Sequence, residues 1–256
     1  MSTHDTLAGA NYEGRKALAT SKIKKFQQLL SAELSPALAD QGFLPGSAPR
    51  GMEGLWFASK SPSLPHATAA VKVVVESRRD WLGMSAYAHL TSDAVAEIVR
   101  NMPDPARAAD SSDDSPYLGS IELVGFASFI KPAPAGEFLL VNPSSVPRAA
   151  DWFLQCVRGP VAEWFLQRDS VSKLVDLAKF PTAAAVDRKS PSSMRLRATV
   201  ILCALEGRLA DAAGLMRWYL TEGRFDGLDS PEQASAFDIA LGQQFPGYAE
   251  ARKMMD

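Results

Sequence analysis

The stretch from Thr68 to Leu90, TAAVKVVVESRRDWLGMSAYAHL, decides the fold predicted for this chain. Its first half is rich in β-branched residues, and its second half alternates between two sets of side chains with the period of a half-buried strand. The polar Arg78-Arg79-Asp80 between the halves predicts a short turn. The stretch therefore indicates an antiparallel β-hairpin. One alternating set comprises Trp81, Gly83, Ser85, Tyr87 and His89, and the other comprises Leu82, Met84, Ala86, Ala88 and Leu90.

Outward from this hairpin, strands are grouped early in the chain and helices late. The first predicted helix runs from an N-cap at Ser21 to a C-cap glycine at Gly42. After Pro143 the pattern is helical throughout. Grouped strands followed by grouped helices are typical of the α+β class. We therefore expect a mainly antiparallel sheet of four to five strands with an N-terminal helix, followed by an all-helical C-terminal region. The other strand candidates are 53–59, 120–131 and 137–141.

The same pattern predicts three regions along the chain. Residues 1–20 are polar and aperiodic, so we expect a flexible arm there. We expect the sheet domain at residues 21–145 and a helical region at residues 146–256. That region either packs on the sheet or forms a small subdomain. Its predicted helices are 147–168, bent at Gly159-Pro160, then 171–180, 193–206, 209–222 and 231–245, and a further helix is predicted near 92–102.

Charge and cysteine content exclude some classes of protein. The chain has 27 basic and 29 acidic residues, and the basic ones are scattered, which argues against non-specific nucleic-acid binding. The apolar stretches are shorter than a membrane helix needs, and residues 1–5 do not begin a secretory signal. Cys156 and Cys203 lie in apolar surroundings, where we expect two small buried side chains. These features predict a cytoplasmic protein that binds neither nucleic acid nor membrane.

Motifs for the common catalytic chemistries are missing from the sequence. The three histidines are isolated, without metal-ligand spacing, so no metal site is predicted. The sequence contains neither a Gly-x-Ser-x-Gly elbow nor a glycine-rich phosphate loop. Both cysteines are expected on apolar helix faces, where a thiol stays protonated. We therefore predict no catalytic residue and no cofactor.

Paired carboxylates remain an open alternative. Acidic residues on or near the strands could converge in a pocket, as general acid/base chemistry requires, or simply face solvent. Sequence spacing does not choose between these two outcomes. The candidates are Glu53, Glu76, Asp80, Glu122 and Glu137.

Aromatic, arginine and aspartate side chains near the hairpin suggest a protein partner. Trp, Tyr and Arg dominate the energetics of protein–protein interfaces, although tryptophans on strands also belong to cores. An acidic loop follows the second predicted helix and either is merely solvated or attracts a basic partner. The predicted partner-binding residues are Trp56, Arg78, Arg79, Trp81, Asp110, Asp113 and Asp114.

The order of these elements resembles a family of small bacterial proteins of unknown function. The likeness covers about residues 22–180 and lies in LADQGFLP, GLWFASK, VKVVVES, LGMSAYAHL, SPYLGSIEL and WFLQCVRGPVAEWFLQRDSVSKLVDL. In that family a helix ending in Gly-Phe precedes an aromatic strand and a hairpin. This chain departs from it in GFLPGSAPRGMEG, a Pro/Gly-rich insertion where a short basic turn is expected. Some members are encoded near polymorphic toxins, so the resemblance implies an immunity role and transfers no catalytic residue.

Three functional hypotheses follow from the sequence. The first is a cytoplasmic immunity protein that binds a cognate toxin in a 1:1 complex and occludes its active site. The second is an adaptor or chaperone-like accessory protein of a secretion system, which predicts an exposed apolar patch on the helical region. The third is an enzyme with an unrecognised carboxylate or arginine site, which predicts a pocket with converging charged side chains.

Overall fold

A computed structural model describes most of the chain. The described residues are 3–49, 52–60, 64–78, 81–108, 113, 115, 117–129, 138–140, 142–182, 190–225 and 227–255, with the backbone alone for 3–19, 60 and 78. The α+β class is confirmed, with the sheet in the first part of the chain and helices in the second. The strands are β1 Leu44–Gly46, β2 Leu55–Lys60, β3 Thr68–Arg78, β4 Trp81–Thr91, β5 Ser120–Gly125 and β6 Phe138–Leu140. The helices are α1 Thr3–Ala39, α2 Asp93–Arg100, α3 Val146–Cys156, α4 Ala162–Leu166, α5 Val171–Ala178, α6 Ser193–Leu205, α7 Leu209–Thr221, α8 Pro231–Gln244 and α9 Pro246–Lys253.

The predicted hairpin is the centre of the sheet. β3 and β4 pair in antiparallel register along their whole length, from Arg78 opposite Trp81 to Thr68 opposite Thr91. The sheet order is β1-β2-β3-β4-β5, and all pairings are antiparallel. β6 pairs with the beginning of β4 while β5 pairs with its end. The two alternating sets of β4 side chains therefore lie on opposite faces of the sheet.

The helices cover one face of this sheet. The even-numbered β4 residues belong to the main core together with the leucines of α1, which recur every four residues on one side of that helix. Each fully buried leucine of this seam contributes about 2 kcal/mol. The core members along the seam are Leu30, Leu34, Leu38, Val71, Val73, Met84, Ala86 and Ala88.

Some boundaries differ from the predicted ones. α1 begins at Thr3, so helical backbone also runs through the segment where the sequence predicts an arm. β1 was not predicted, because three residues with a proline at Pro45 carry no strand pattern of their own; pairing with β2 makes it a strand. β5 ends at Gly125, since the chain then turns through a 3-10 helix at Phe126–Phe129.

Other predicted features are confirmed. α1 ends at Ala39, and the predicted glycine Gly42 follows it with φ +81°, while the Phe43 amide donates to the Leu38 carbonyl. The stretch 147–168 is broken at Gly159-Pro160 by one π-helical turn. Cys156 and Cys203 are buried and form no disulfide.

Helix α6 is the central helix of the C-terminal region. Both its apolar and its polar side chains are buried, including two arginines, Arg195 and Arg197. Arg197 forms a two-bond ion pair with Asp229, at 2.8 Å from Nε to Oδ2 and 2.5 Å from Nη2 to Oδ1. The Tyr219 hydroxyl donates to the same carboxylate at 3.0 Å. This pair therefore ties α6 to α7 and to the loop before α8.

A buried ion cluster links α6 to the sheet. Glu122 on β5 accepts two bonds from Arg168, Nε to Oε2 at 2.8 Å and Nη2 to Oε1 at 3.1 Å. Arg195 adds a third, Nη1 to Oε1 at 3.0 Å. All three side chains are at most 6% exposed. Arg195 also donates to the carbonyls of Leu177 and Phe180, so the cluster joins β5, the turn after α4, α5 and α6.

We predict that Glu122→Gln destabilises the protein severely. The amide keeps the shape of the side chain but leaves two buried guanidinium groups without a counter-charge, which costs roughly 3–5 kcal/mol. Urea unfolding measures this change. The matched control is Glu250→Gln, because Glu250 forms an exposed ion pair with Lys253 at 2.8 Å and its loss should leave the unfolding midpoint unchanged. A loss below about 1 kcal/mol for Glu122→Gln would contradict the role assigned to the cluster.

Candidate functional site

The face of the sheet opposite α1 carries the exposed side chains. Register places Leu44, Trp81 and Leu139 on this face, since Leu44 lies in the row of Ala58, Ala70 and His89, and Leu139 lies opposite Gly83. They are 60%, 41% and 46% exposed. We call this side of the sheet the open face. Its other large members include Trp56, Lys72, Val74, Glu76, Tyr87, His89 and Leu123.

A cavity of about 310 Å³ lies at the centre of the open face. Three alternating β3 side chains and their β4 and β5 neighbours form its base, with Lys72 directly opposite Tyr87 in the register. Residues from two loops form its walls. The lining comprises Met52, Glu53, Lys72, Val74, Glu76, Tyr87, Tyr117 and Leu123.

Two glycines hold the walls in place. Gly54 has φ +114°, and a Cβ there would lie 2.3 Å from the Val73 carbonyl oxygen, so only glycine lets the Met52–Glu53 segment approach β3 so closely. Gly119 has φ +81°, and its Cβ would lie 2.5 Å from the Ser92 carbonyl oxygen. Tyr117 precedes that glycine and is 40% exposed. Both walls therefore depend on close backbone contacts.

Charges of both signs meet in the cavity. The carboxylates of Glu53 and Glu76 act on Lys72 and favour its charged form. Burial of Lys72 nevertheless lowers the pKa of its ammonium group, because the loss of hydration outweighs both carboxylates. The cavity thus contains two carboxylates and one partly desolvated amine.

A buried histidine lies on the same face of the sheet, opposite the cavity-lining Leu123 in the register. His89 is fully buried, and its Nε2 lies 2.7 Å from the Ser120 Oγ. The Trp56 ring, itself 6% exposed, packs edge-on against the imidazole with 5.4 Å between ring centroids. Burial and, as the smaller cause, the nearby Lys72 charge together lower the pKa of His89 to about 4. His89 is therefore neutral at pH 7.

A second cavity of about 290 Å³ adjoins the first. The two share Tyr117 and Leu123 as lining residues, and the second continues past β5 to Thr182 and to Ser192 at the N-terminus of α6. Together they form a groove across the strands. Tyr117 lies at the junction between the two cavities.

The predicted partner-binding residues are distributed unevenly. Trp81 is exposed on the open face, whereas Trp56 lies on that face but is buried against His89. Arg78 ends β3 opposite Trp81. Asp113 is exposed and accepts a bond from Arg107 at 2.8 Å. The remaining three, Arg79, Asp110 and Asp114, lie outside the described residues.

The carboxylate alternative has a definite outcome for three of its candidates. Glu53 and Glu76 do converge, because both line the central cavity on the open face. Glu122 takes part in the buried ion cluster and also borders the second cavity. Asp80 and Glu137 lie outside the described residues.

Sequence reasoning missed Lys72 and Tyr117. The sequence did contain a signal for Lys72. In a hairpin that pairs Arg78 with Trp81, the residue six positions before Arg78 pairs with the residue six positions after Trp81, which places Lys72 opposite Tyr87. The sequence contained no such signal for Tyr117, whose loop approaches the cavity only through tertiary packing.

Among the described side chains, no group of three or more His, Cys, Asp or Glu residues is arranged to hold a metal ion. The described helices include none with the length and apolar character of a transmembrane span.

We predict that His89 makes the stability depend on pH in mildly acidic solution. His89 takes up a proton near pH 6.5 in the unfolded chain but only near pH 4 in the folded chain. The contribution of His89 to the free energy of unfolding is therefore fully present above pH 6.5 and decreases as the pH falls towards 4. The separation corresponds to roughly 3 kcal/mol. Urea unfolding at several pH values tests this by comparison with His89→Gln, which should remove that part of the slope.

The matched control is His66→Asn. His66 is exposed and has φ +67°, a backbone conformation that asparagine tolerates. This variant should keep the full pH dependence. Equal slopes for the wild type and His89→Gln would contradict the prediction.

Comparisons of this chain with protein-family models, with curated proteins and with solved structures find no significant match.

Proposed function

We propose that this chain is a protein-binding protein that captures its partner on the open face. The observation that carries the proposal is where the exposed apolar side chains lie. Eight large apolar residues of the described chain are exposed, and four of them are on or beside the open face. Those four are Leu44, Trp81, Tyr117 and Leu139.

The composition of this face suits protein recognition. Tryptophan and tyrosine supply most of the energy of typical interfaces, because each buries a large rigid surface at a small cost in conformational entropy. The charged groups at the centre, Glu53, Lys72 and Glu76, would select a partner with complementary charges. An apolar periphery with a charged centre supports a specific, soluble complex.

The most concrete form of this proposal is a cytoplasmic immunity protein. The resemblance in the helix, aromatic strand and hairpin pattern supports it, since some members of that family are encoded near toxins. Such a protein would block the active site of one cognate toxin in a 1:1 complex. The face is formed by paired strands and two fixed walls, so it is already shaped before the partner arrives.

We predict that Trp81→Glu and Leu139→Glu each abolish protection against the toxin encoded by the neighbouring gene. A charge on the open face would be desolvated in the complex, and we expect affinity to fall by at least tenfold, about 1.4 kcal/mol. Calorimetric titration and growth of cells that express the toxin are the two measurements.

The matched control is Ile239→Glu. Ile239 is 63% exposed, on α8, so this change adds the same charge elsewhere. Unchanged protection by the two open-face variants, or equal loss with the control, would contradict binding through this face. A neighbouring gene that encodes no toxin would contradict the immunity role.

An enzyme is the second candidate, and the convergence of Glu53, Lys72 and Glu76 in one cavity favours it. An amine with a lowered pKa beside two carboxylates is a set of groups suited to proton transfer. The two candidates differ in stoichiometry. A binding protein neutralises a toxin only at equimolar amounts or above, whereas an enzyme acts at far lower ratios, so titrating toxin activity against this chain separates them.

A further inference from the structure

A third cavity lies on the helical side of the molecule, between α2, α6 and α8. Its volume is about 50 Å³, and most of its lining is apolar. The lining includes Val95, Val99, Met102, Ala106, Ala198 and Phe237. All of these except Val99 are at most 3% exposed, so the inner part of the cavity belongs to the core.

Hydrogen bonds at both ends of α8 keep this space open. The Gln233 side chain donates to the Arg107 carbonyl at 3.3 Å, and the Gln244 side chain donates to the Ile98 carbonyl at 3.3 Å. They fix α8 across α2 and across the segment after it. The small side chains on the lining then leave the space between the backbones unfilled. The cavity is therefore part of the folded structure before any ligand arrives.

Two buried polar side chains next to the cavity already have partners. Arg197 donates to the Asp229 carboxylate from Nε and Nη2, and to the Ala106 carbonyl from Nη1. The Ser120 Oγ lies 2.7 Å from the His89 Nε2. A buried water molecule typically needs about two to four polar partners, and apolar cavities stay dry. The lining therefore favours an apolar group over water.

The volume suits one small group. A single water needs about 10–15 Å³ of such space, and a dry cavity of about 150 Å³ holds benzene. The cavity between α2, α6 and α8, at about 50 Å³, lies between these two limits. A branched group of about three carbon atoms, the size of a valine side chain, fits that range.

The third cavity adjoins the groove on the open face. It shares Tyr117 and Met194 with the second cavity, and Tyr117 also lines the central one. Met194 is half-buried, and the unbranched side chain of methionine changes conformation easily. A group can therefore enter from the far end of the groove, past Met194.

We infer that this third cavity is a binding site for one small aliphatic group, of the size of a valine side chain. A free apolar molecule and an apolar side chain of a bound partner present the same chemistry to it. The cavity binds such a group whether or not the open face captures a partner. If the group belongs to a partner, the site adds an anchor at the end of the groove.

The experiment uses the full chain and follows the chemical shifts of the Val95 and Ala198 amides. Dissolved xenon represents a free apolar molecule, and we expect it to bind saturably. N-acetyl-valine methylamide represents a side chain of a partner, and N-acetyl-threonine methylamide is its polar counterpart of nearly the same shape. A valine probe that binds at least fivefold more tightly than the threonine probe assigns the site to a side chain. Binding of xenon without such a preference assigns it to a free molecule.

Two variants change the volume of the cavity in opposite directions. Ala198→Val fills it from within and should weaken xenon binding at least fivefold. Ala162→Val, on the exposed side of α4, adds the same atoms at the surface and should leave xenon binding unchanged. Val99→Ala enlarges the cavity and should bind benzene at least fivefold more tightly than the wild type, which provides a test even where Ala198→Val does not fold.

A wild type that does not bind xenon saturably would overturn the inference. Equal xenon binding by the wild type and Ala198→Val, or equal benzene binding by the wild type and Val99→Ala, would do the same. The proposed function fails separately. If Trp81→Glu and Leu139→Glu lose protection but xenon does not bind, only the inference is wrong. If xenon binds as expected but both variants still protect, only the proposed function is wrong.

Discussion

One buried carboxylate, that of Glu122, links the sheet to the C-terminal helices. Glu122 lies on β5, and the two arginines that bind it come from the turn after α4 and the first turn of α6. Burial of three charges is expensive, so the cluster depends on the three bonds that Arg168 and Arg195 donate to Glu122. It therefore acts as a constraint more than as a source of net stability. The position of α6 against the sheet edge depends on it, and the N-terminus of α6 in turn forms the far end of the groove.

Much of the sheet could be predicted because its determinants are local. The alternation of Trp81, Tyr87 and His89 with apolar residues assigned the two faces of β4 correctly, and the short polar turn implied the register with β3. Serine caps are also local: the side chains of Ser92 and Ser170 accept bonds from the amides of Val95 and Lys173, whereas Ser21, the predicted N-cap, lies inside α1. The bend at Gly159-Pro160 follows from the missing amide of proline.

The site could be predicted only in part, because its other determinants are distant in sequence. Glu122 binds arginines that are 46 and 73 residues away in the sequence. No spacing along the chain indicates that this carboxylate would be buried in an ion cluster. Tyr117 reaches the cavity through a loop pinned at Gly119. Trp56 was expected either in the core or at an interface. It lies on the open face but is buried against His89. The alternation of a strand shows which face a side chain is on, but not whether that side chain is exposed there.

The edge strand β1 has a consequence for how other chains can attach. It is three residues long, and its middle residue is Pro45, which has no amide hydrogen to offer to an added strand. β1 therefore covers the edge of β2 and protects the sheet from edge-to-edge aggregation, which an unprotected edge strand favours. β-augmentation by a foreign peptide is disfavoured there for the same reason. Whatever this chain recruits along β1 and β2 has to be held by side chains rather than by an extension of the backbone ladder.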